Sequence, residues 1–282
     1  MKRIFFLFAF SLISLFVFSQ ETDSLQRKYI RPGYFNFGVG VSGITLRDFA
    51  TSPLFYKGPG LKISLGRLRK DEKIESCFEV SPMFGMALNT YNNTSNSSIL
   101  GGMDMSYYRL YRLNRFTKNK INTKIGGNIM STNIFRLNTA LGNNAIGFEN
   151  IMNIMTSVKV SYDFSRTNTK LIKLWFLKKE LKPKRRELSY MFNLGLLNMN
   201  YRPGYAYSFD SFDGENLNWF ADYRFSVNGV RFKSRFDFTR FLTNGNATQL
   251  SLIFDIMTAP GKFEDFQFAQ NSFMFTWLFN NK

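Results

Sequence analysis

Between Ser272 and Phe279 the chain reads SFMFTWLF, with Phe273, Phe275, Trp277 and Phe279 on one parity and Ser272, Met274, Thr276 and Leu278 on the other. Successive side chains of an extended chain point to opposite faces, so a strand here carries four aromatic rings on one side. A face of that size is not left to water. It must meet a packed core or lipid.

The same alternation recurs along the chain. It is visible at residues 35–42, 61–66, 78–89, 103–111, 124–133, 152–164, 190–196, 230–242 and 247–257, and 271–279 makes ten. Within these segments large apolar residues such as Phe35, Phe37, Val39 and Val41 alternate with small or polar ones such as Asn36, Gly38, Gly40 and Ser42. Aromatics make up 17% of the residues, yet mean hydropathy is -0.19, because each apolar position is averaged with a polar neighbour. Apart from the first 19 residues, no stretch approaches the roughly 18 consecutive apolar residues of a transmembrane helix. The pattern predicts an all-β, transmembrane, antiparallel up-and-down β-barrel of about ten strands, twelve being the alternative. A soluble β-sandwich alternates too, but with fewer Phe and smaller outward residues.

Met1 to Ser19 has the form of a signal peptide: Lys2 and Arg3 precede an apolar run that ends in Val17-Phe18-Ser19. The expected organisation is a signal peptide over 1–19, a periplasmic lead over 20–33 and a barrel over 34–282. The single Cys77 allows no intramolecular disulfide, so closure of the sheet must hold the fold. Net charge is +17, or +15 without Lys2 and Arg3. In an exported barrel that excess points to outer-membrane lipid and lipopolysaccharide rather than to nucleic acid.

Between the strands, residues 53–60, 91–98, 138–150 and 202–229 read as loops, the alternative for the last being a loop plus an extra strand over Leu217 to Val227. Pro82 is tolerable only at a bulge or a weak hydrogen-bond position, so a register shift is expected there. Arg109, in an outward row, is expected to snorkel beside Tyr107 and Tyr111. Residues 166–188 carry nine Lys or Arg against Glu180 and Glu187. That turn is open to two readings: an interfacial helix over Lys170 to Lys182 with Trp175 and Phe176 at headgroup level, or a solvated turn extending two strands.

Candidate chemistry is sparse. The chain contains no His, which removes His-assisted nucleophilic catalysis and His-ligated metal sites, and no enzyme activity or cofactor is expected. Arg231, Lys233 and Arg235 share the inward parity of one strand, where a basic row can either select anions or pair with inward Glu79, Asp104, Asp163 and Asp255 in a filled interior. The filled interior is the preferred reading. Asp210, Asp213 and Glu215 could collect a hard cation, but their spacing matches no EF-hand, and a solvated acidic loop is preferred. Lys178, Lys179, Lys184 and Arg185 form a candidate periplasmic contact. Phe275, Trp277 and Phe279 form the candidate assembly signal.

The closing strand resembles those read by the barrel-assembly machinery of outer-membrane proteins. Asn138 to Glu149 with its Leu-Gly-Asn-Asn core, Tyr201-Arg202-Pro203, Glu215-Asn216-Leu217 and Asn244-Gly245-Asn246-Ala247 resemble an uncharacterised family of Bacteroidetes outer-membrane barrel proteins. The resemblance implies the outer membrane of a Gram-negative bacterium and transfers no catalytic motif. Two expectations stay open: a structural or accessory component of an envelope assembly with a protein partner, or a narrow pore for small solutes.

Overall fold

The computed structural model describes residues 32–91, 94–166, 168–174, 177–181, 183–203, 223–261 and 265–281. The signal peptide expected over 1–19, and the periplasmic lead expected over 20–33 as far as residue 31, lie outside them. The first strand starts at Gly33, one residue before the expected barrel boundary.

In chain order the strands are β1 (Gly33–Asp48), β2 (Ser52–Lys70), β3 (Ile74–Tyr91), β4 (Thr94–Arg112), β5 (Ile121–Leu137), β6 (Ile146–Asp163), β7 (Lys170–Leu174), β8 (Leu177–Leu181), β9 (Arg186–Pro203), β10 (Tyr223–Val227), β11 (Val230–Phe241), β12 (Ala247–Ala259) and β13 (Phe266–Asn281). Ten of them form a closed antiparallel barrel: β1 to β6, then β9, β11, β12 and β13, which returns to β1. β7 and β8 pair as a separate hairpin, and β10 lies along β9. Among the described residues, no helix is long and apolar enough to cross a membrane.

The seam is formed by the strand with the aromatic stripe. β13 pairs with β1 without a register shift from Gly33↔Asn281 to Asp48↔Phe266. This register sets Phe279 opposite Phe35 and Trp277 opposite Phe37, and the Phe37 and Trp277 rings stack with centroids 5.8 Å apart. Trp277 also meets Phe275 edge-on at 4.5 Å. Lumen-side Gly40 is required by the closeness of this pairing, since a Cβ there would lie 2.2 Å from the Phe273 carbonyl oxygen. We call the rim carrying Gly33 and Asn281 the terminal end and the rim carrying Asp48 and Phe266 the far end.

Alternation becomes an inside-out protein. Leu61, Phe84, Ile129 and Leu196 project outward and are more than half exposed, whereas Ser42, Lys62, Asn128, Asn193, Arg231 and Asp255 point inward and are buried. Parity reverses once within β9. Met155 opposes Gly195 and Ile154 opposes Leu197, so one extra residue bulges there and turns Asn198, Asn200 and Arg202 inward.

Several expected loops are strand. Pro53, Gly58, Pro59 and Gly60 all lie within β2. A Cβ at Gly58 would come 1.9 Å from the Met86 carbonyl oxygen, so this glycine permits tight pairing with β3 where a turn was expected. The polar run from Tyr91 to Ser98 is also mostly strand: Tyr91 faces Thr94 across a two-residue connection. Pro82 interrupts the β2–β3 pairing but does not shift it. The register partners on either side, Lys62↔Met83 and Leu65↔Val80, keep one register.

The long loop expected over 202–229 is shortened at both ends, because Arg202 and Pro203 finish β9 while Tyr223 to Val227 form β10. β10 adds no eleventh stave. It continues β11 along β9 after a bend at Asn228 and Gly229, where Gly229 has φ +88°. Residues 204–222, including Asp210, Asp213 and Glu215, lie outside the described residues.

The interfacial helix is corrected to the β7–β8 hairpin, paired from Lys170↔Leu181 to Leu174↔Leu177. Reciprocal hydrogen bonds between Arg166 and Lys184 carry the edges of β6 and β9 toward it, so the segment meets its backbone bonds across strands. Trp175 and Phe176 lie outside the described residues.

Because Phe279 lines the seam, Phe279→Ala, or deletion of residues 279–282, is expected to impair insertion and closure in lipid vesicles. The check is the yield of the compact, heat-modifiable band on semi-native gels; wild-type yield from both variants would remove the stripe's role in assembly.

Candidate functional site in the lumen and at its terminal mouth

The alternation gathers the charged side chains inside the barrel and leaves them little water, so each needs a partner. Arg231 is 1% exposed. Its Nε donates to Asp255 Oδ1 at 2.9 Å and Nη2 to Oδ2 at 2.7 Å, while Nη1 donates to Thr132 Oγ1 and Asn153 Oδ1, both at 2.8 Å. This is a bidentate Arg–carboxylate pair with the remaining guanidinium edge also satisfied. Lys233 lies 3.7 Å from the same Asp255. Arg235 bridges Asp237 at 2.8 Å and Glu79 at 3.3 Å, with Gln249 and Ser251 beside it.

Around this row the neighbouring staves complete a network. Lys62 donates to Asp104 at 2.6 Å and to Gln270 at 3.1 Å. Gln270 reaches Ser42, which pairs with Ser272 across the seam at 2.8 Å. Nearer the terminal end Glu75 accepts from Lys159 at 2.5 Å, Lys124 at 3.4 Å and Tyr108 at 3.1 Å. Lys70 pairs with Glu187. At the far end, Arg136 and Arg202 meet the two oxygens of Asp48 at 2.7 and 3.2 Å, and Arg202 lies over the Phe266 ring.

Apolar side chains cap these layers. Ile44, Leu46, Met83, Ile134, Ile151 and Phe268 belong to a cluster in the far-end part of the lumen, and Tyr34, Ala247 and Leu278 pack at the terminal end. One cavity between Arg231, Asp104 and Phe268 measures about 10 Å³, and one beside Lys159 and Thr239 about 20 Å³. Each has room for about one water.

At the terminal mouth lies an open cleft of about 1370 Å³, lined in part by Tyr34, Arg185, Arg240 and Phe241. Arg185 sits 4.2 Å above the Phe241 ring. Of the candidate contact residues, Lys184 is paired through its backbone with Arg166, and Lys178 and Lys179 belong to β8. Outside the barrel wall Arg109 lies over Tyr111 at 5.4 Å.

Arg231, Lys233 and Arg235 are thus brought together with Glu79 and Asp255, while Asp104 is joined to them through Thr132. Asp163 is not part of this network: it is exposed at the terminal end of β6 and accepts from the Ser165 amide at 2.8 Å. Its inward parity is real, but it lies beyond the point where the lumen closes. Glu75 and the Asp48–Arg136–Arg202 group were not singled out from the sequence. Inward parity of the charged residue was the available signal, obscured where turns and loops had been expected to replace strand. Among the described residues, no group of three or more His, Cys, Asp and Glu is placed to hold a metal ion.

The sequence pattern of a family described as a protein of unknown function (DUF3316) matches residues 4–243. No curated protein matches the chain. Similar solved structures include the Neisserial surface protein A, 10% identical, with 86% of this chain and 95% of that one covered and a TM-score of 0.31. The transport unit of the autotransporter AIDA-I from Escherichia coli is 8% identical over 95% and 96% of the two chains, TM-score 0.35. Ail, the attachment invasion locus protein of Yersinia pestis, is 7% identical over 88% and 99%, TM-score 0.30.

Breaking the best-satisfied pair isolates a buried charge. Arg231→Met is expected to lower stability by about 3 kcal/mol, at the low end for an orphaned buried ion because Lys233 stands near Asp255. Urea unfolding of the protein refolded into lipid vesicles measures the loss, and an unchanged midpoint would contradict the role assigned to the pair.

Proposed function

The chain belongs to the DUF3316 family of proteins of unknown function, and from there we propose that it is a non-enzymatic integral barrel of a Gram-negative outer membrane, serving as a structural or accessory component of an envelope assembly. Membrane embedding is supported by the outer surface, where Phe35, Val41, Leu61, Phe84, Ile129, Leu252 and Phe273 stand exposed on six of the ten staves. In water such a wall would drive aggregation; in hydrocarbon it is the stable face. An even number of staves returns Gly33 and Asn281 to one rim, which in such barrels faces the periplasm. The similarity of residues 138–149 to Bacteroidetes barrel proteins supports a source in that group.

The observation that carries the accessory role is the filled lumen. A conduit needs a continuous aqueous path with binding weak enough to release its solute. Here the basic row is held by bidentate and bridging carboxylates, and the cavity beside Arg231 and Asp255 has room for about one water. The barrel would then act through its surfaces, and the terminal mouth with the β7–β8 hairpin offers the basic one. The absence of His supports a non-catalytic role.

In planar bilayers the purified protein is expected to give no steady conductance. Steady anion-selective channels abolished by Arg235→Glu would replace this reading with the pore.

The accessory role also predicts a protein partner that co-purifies in mild detergent and is lost when Lys178, Lys179, Lys184 and Arg185 are reversed to Glu. A monodisperse barrel without partners would count against it.

A further inference from the structure

The terminal rim carries an arrangement that neither the filled lumen nor the hairpin explains. Arg186 on β9 and Arg240 on β11 are direct register partners. Their parity is outward, shared on β9 with Leu188 and Tyr190 and on β11 with Phe236 and Phe238. On the other side of β9, Phe164 donates its amide to the Arg186 carbonyl oxygen, and two residues further along Arg166 and Lys184 exchange backbone hydrogen bonds. By parity Arg166, Lys184, Arg186 and Arg240 all lie on the same outer face of three adjoining edges.

Like charges directly opposite on neighbouring strands destabilise the pair. Among the described residues, neither the Arg186 nor the Arg240 guanidinium is ion-paired with a carboxylate, and Arg186 Nε is buried without a hydrogen-bond partner. The nearby acids do not relieve the repulsion. Glu187 is on the opposite parity and held by Lys70, and Asp163 is also on the opposite parity and turned to Ser165.

One step toward the middle of the barrel the same face is apolar. Leu188 is the register partner of both Tyr162 and Phe238. The Tyr162 and Phe164 rings stack at 6.3 Å, and Phe164 meets Phe238 at 5.8 Å. A cationic pair therefore sits at the border of an aromatic floor, the order of charge and hydrocarbon found in an anionic amphiphile.

We propose that this face binds the phosphate diester headgroup of an anionic phospholipid, with the Arg186 and Arg240 forks on the phosphate oxygens and the first acyl carbons over Tyr162, Phe164, Leu188 and Phe238. Guanidinium suits the task because its planar donors meet phosphate two at a time. Arg166 and Lys184 add positive potential at the outer edge. The inference rests on the proposed membrane embedding, and its test separates the two.

Full-length protein, delipidated in detergent, is titrated with phosphatidylglycerol, phosphatidylethanolamine and free glycerol phosphate, and bound lipid is counted by native mass spectrometry. Co-flotation with phosphatidylethanolamine/phosphatidylglycerol vesicles is measured in parallel. Wild-type protein is expected to float and to retain phosphatidylglycerol about tenfold more tightly than phosphatidylethanolamine. The double variant Arg186→Gln/Arg240→Gln should still float but lose that preference, and Arg186→Lys/Arg240→Lys should keep part of it. If wild-type protein fails to float, the membrane reading falls and the lipid site with it. If it floats but the Gln variant retains phosphatidylglycerol as wild type does, or if glycerol phosphate binds as tightly as the lipid, the lipid site alone is overturned.

Discussion

Everything in this molecule depends on one constraint: a sheet whose outer face is lined with apolar side chains must satisfy its own N–H and C=O groups. An open sheet leaves two edges unpaired, whereas a ring leaves none. The β1–β13 seam meets that requirement through sixteen consecutive register pairs. Gly40 lets the lumen side of the seam approach closely, and the aromatic contacts of Phe37, Phe275 and Trp277 cover its outer side. Without this ladder the outward Phe and Leu residues would line a sheet with adhesive edges.

Closure then forces the interior to solve a second problem. Ten staves enclose too little space for bulk water once their inward side chains are in place, so buried charges must find one another. Arg231 does so with Asp255, Lys62 with Asp104, and Glu75 with Lys159 and Lys124. These pairs join residues from different staves, in the case of Glu75 and Lys159 84 positions apart. They stabilise little by mere count, since desolvation offsets much of the attraction. Their effect is conditional: a register slip of one residue would turn each charge onto the apolar outer face, so the network penalises wrong pairings.

How much of this was legible follows from the same physics. Period-two alternation is local, and it located ten staves, their inward and outward faces and the inward row from Arg231 to Arg235. Strand ends were less legible, because a barrel's staves outrun its apolar belt. Ser95 to Ser98 and Pro53 to Gly60 have loop composition yet are strand, since cross-strand pairing supplies what propensity does not. The bulge at Gly195 to Leu197 reverses parity without a local signal, which hid Arg202 as an inward partner of Asp48. Pairings such as Lys159 with Glu75 are set by barrel curvature and register, quantities no single segment encodes.

The distribution of charge separates the two regimes of the structure. Inside, each cation of the basic row lies beside a carboxylate, so the interior contributes little to the excess of +17. Residues 166–188 carry nine basic residues against two acidic ones in the sequence, and of these Arg166, Lys184, Arg185 and Arg186 are described at the terminal rim. A pore selective for anions would need the surplus in its lumen, where it would act on a passing solute. Here the strand register leaves Arg186 and Arg240 side by side at the terminal rim without a carboxylate between them. Arg186 and Arg240 therefore differ from the lumen row in having no carboxylate partner among the described residues, and a role for their charge must be sought in what the rim touches.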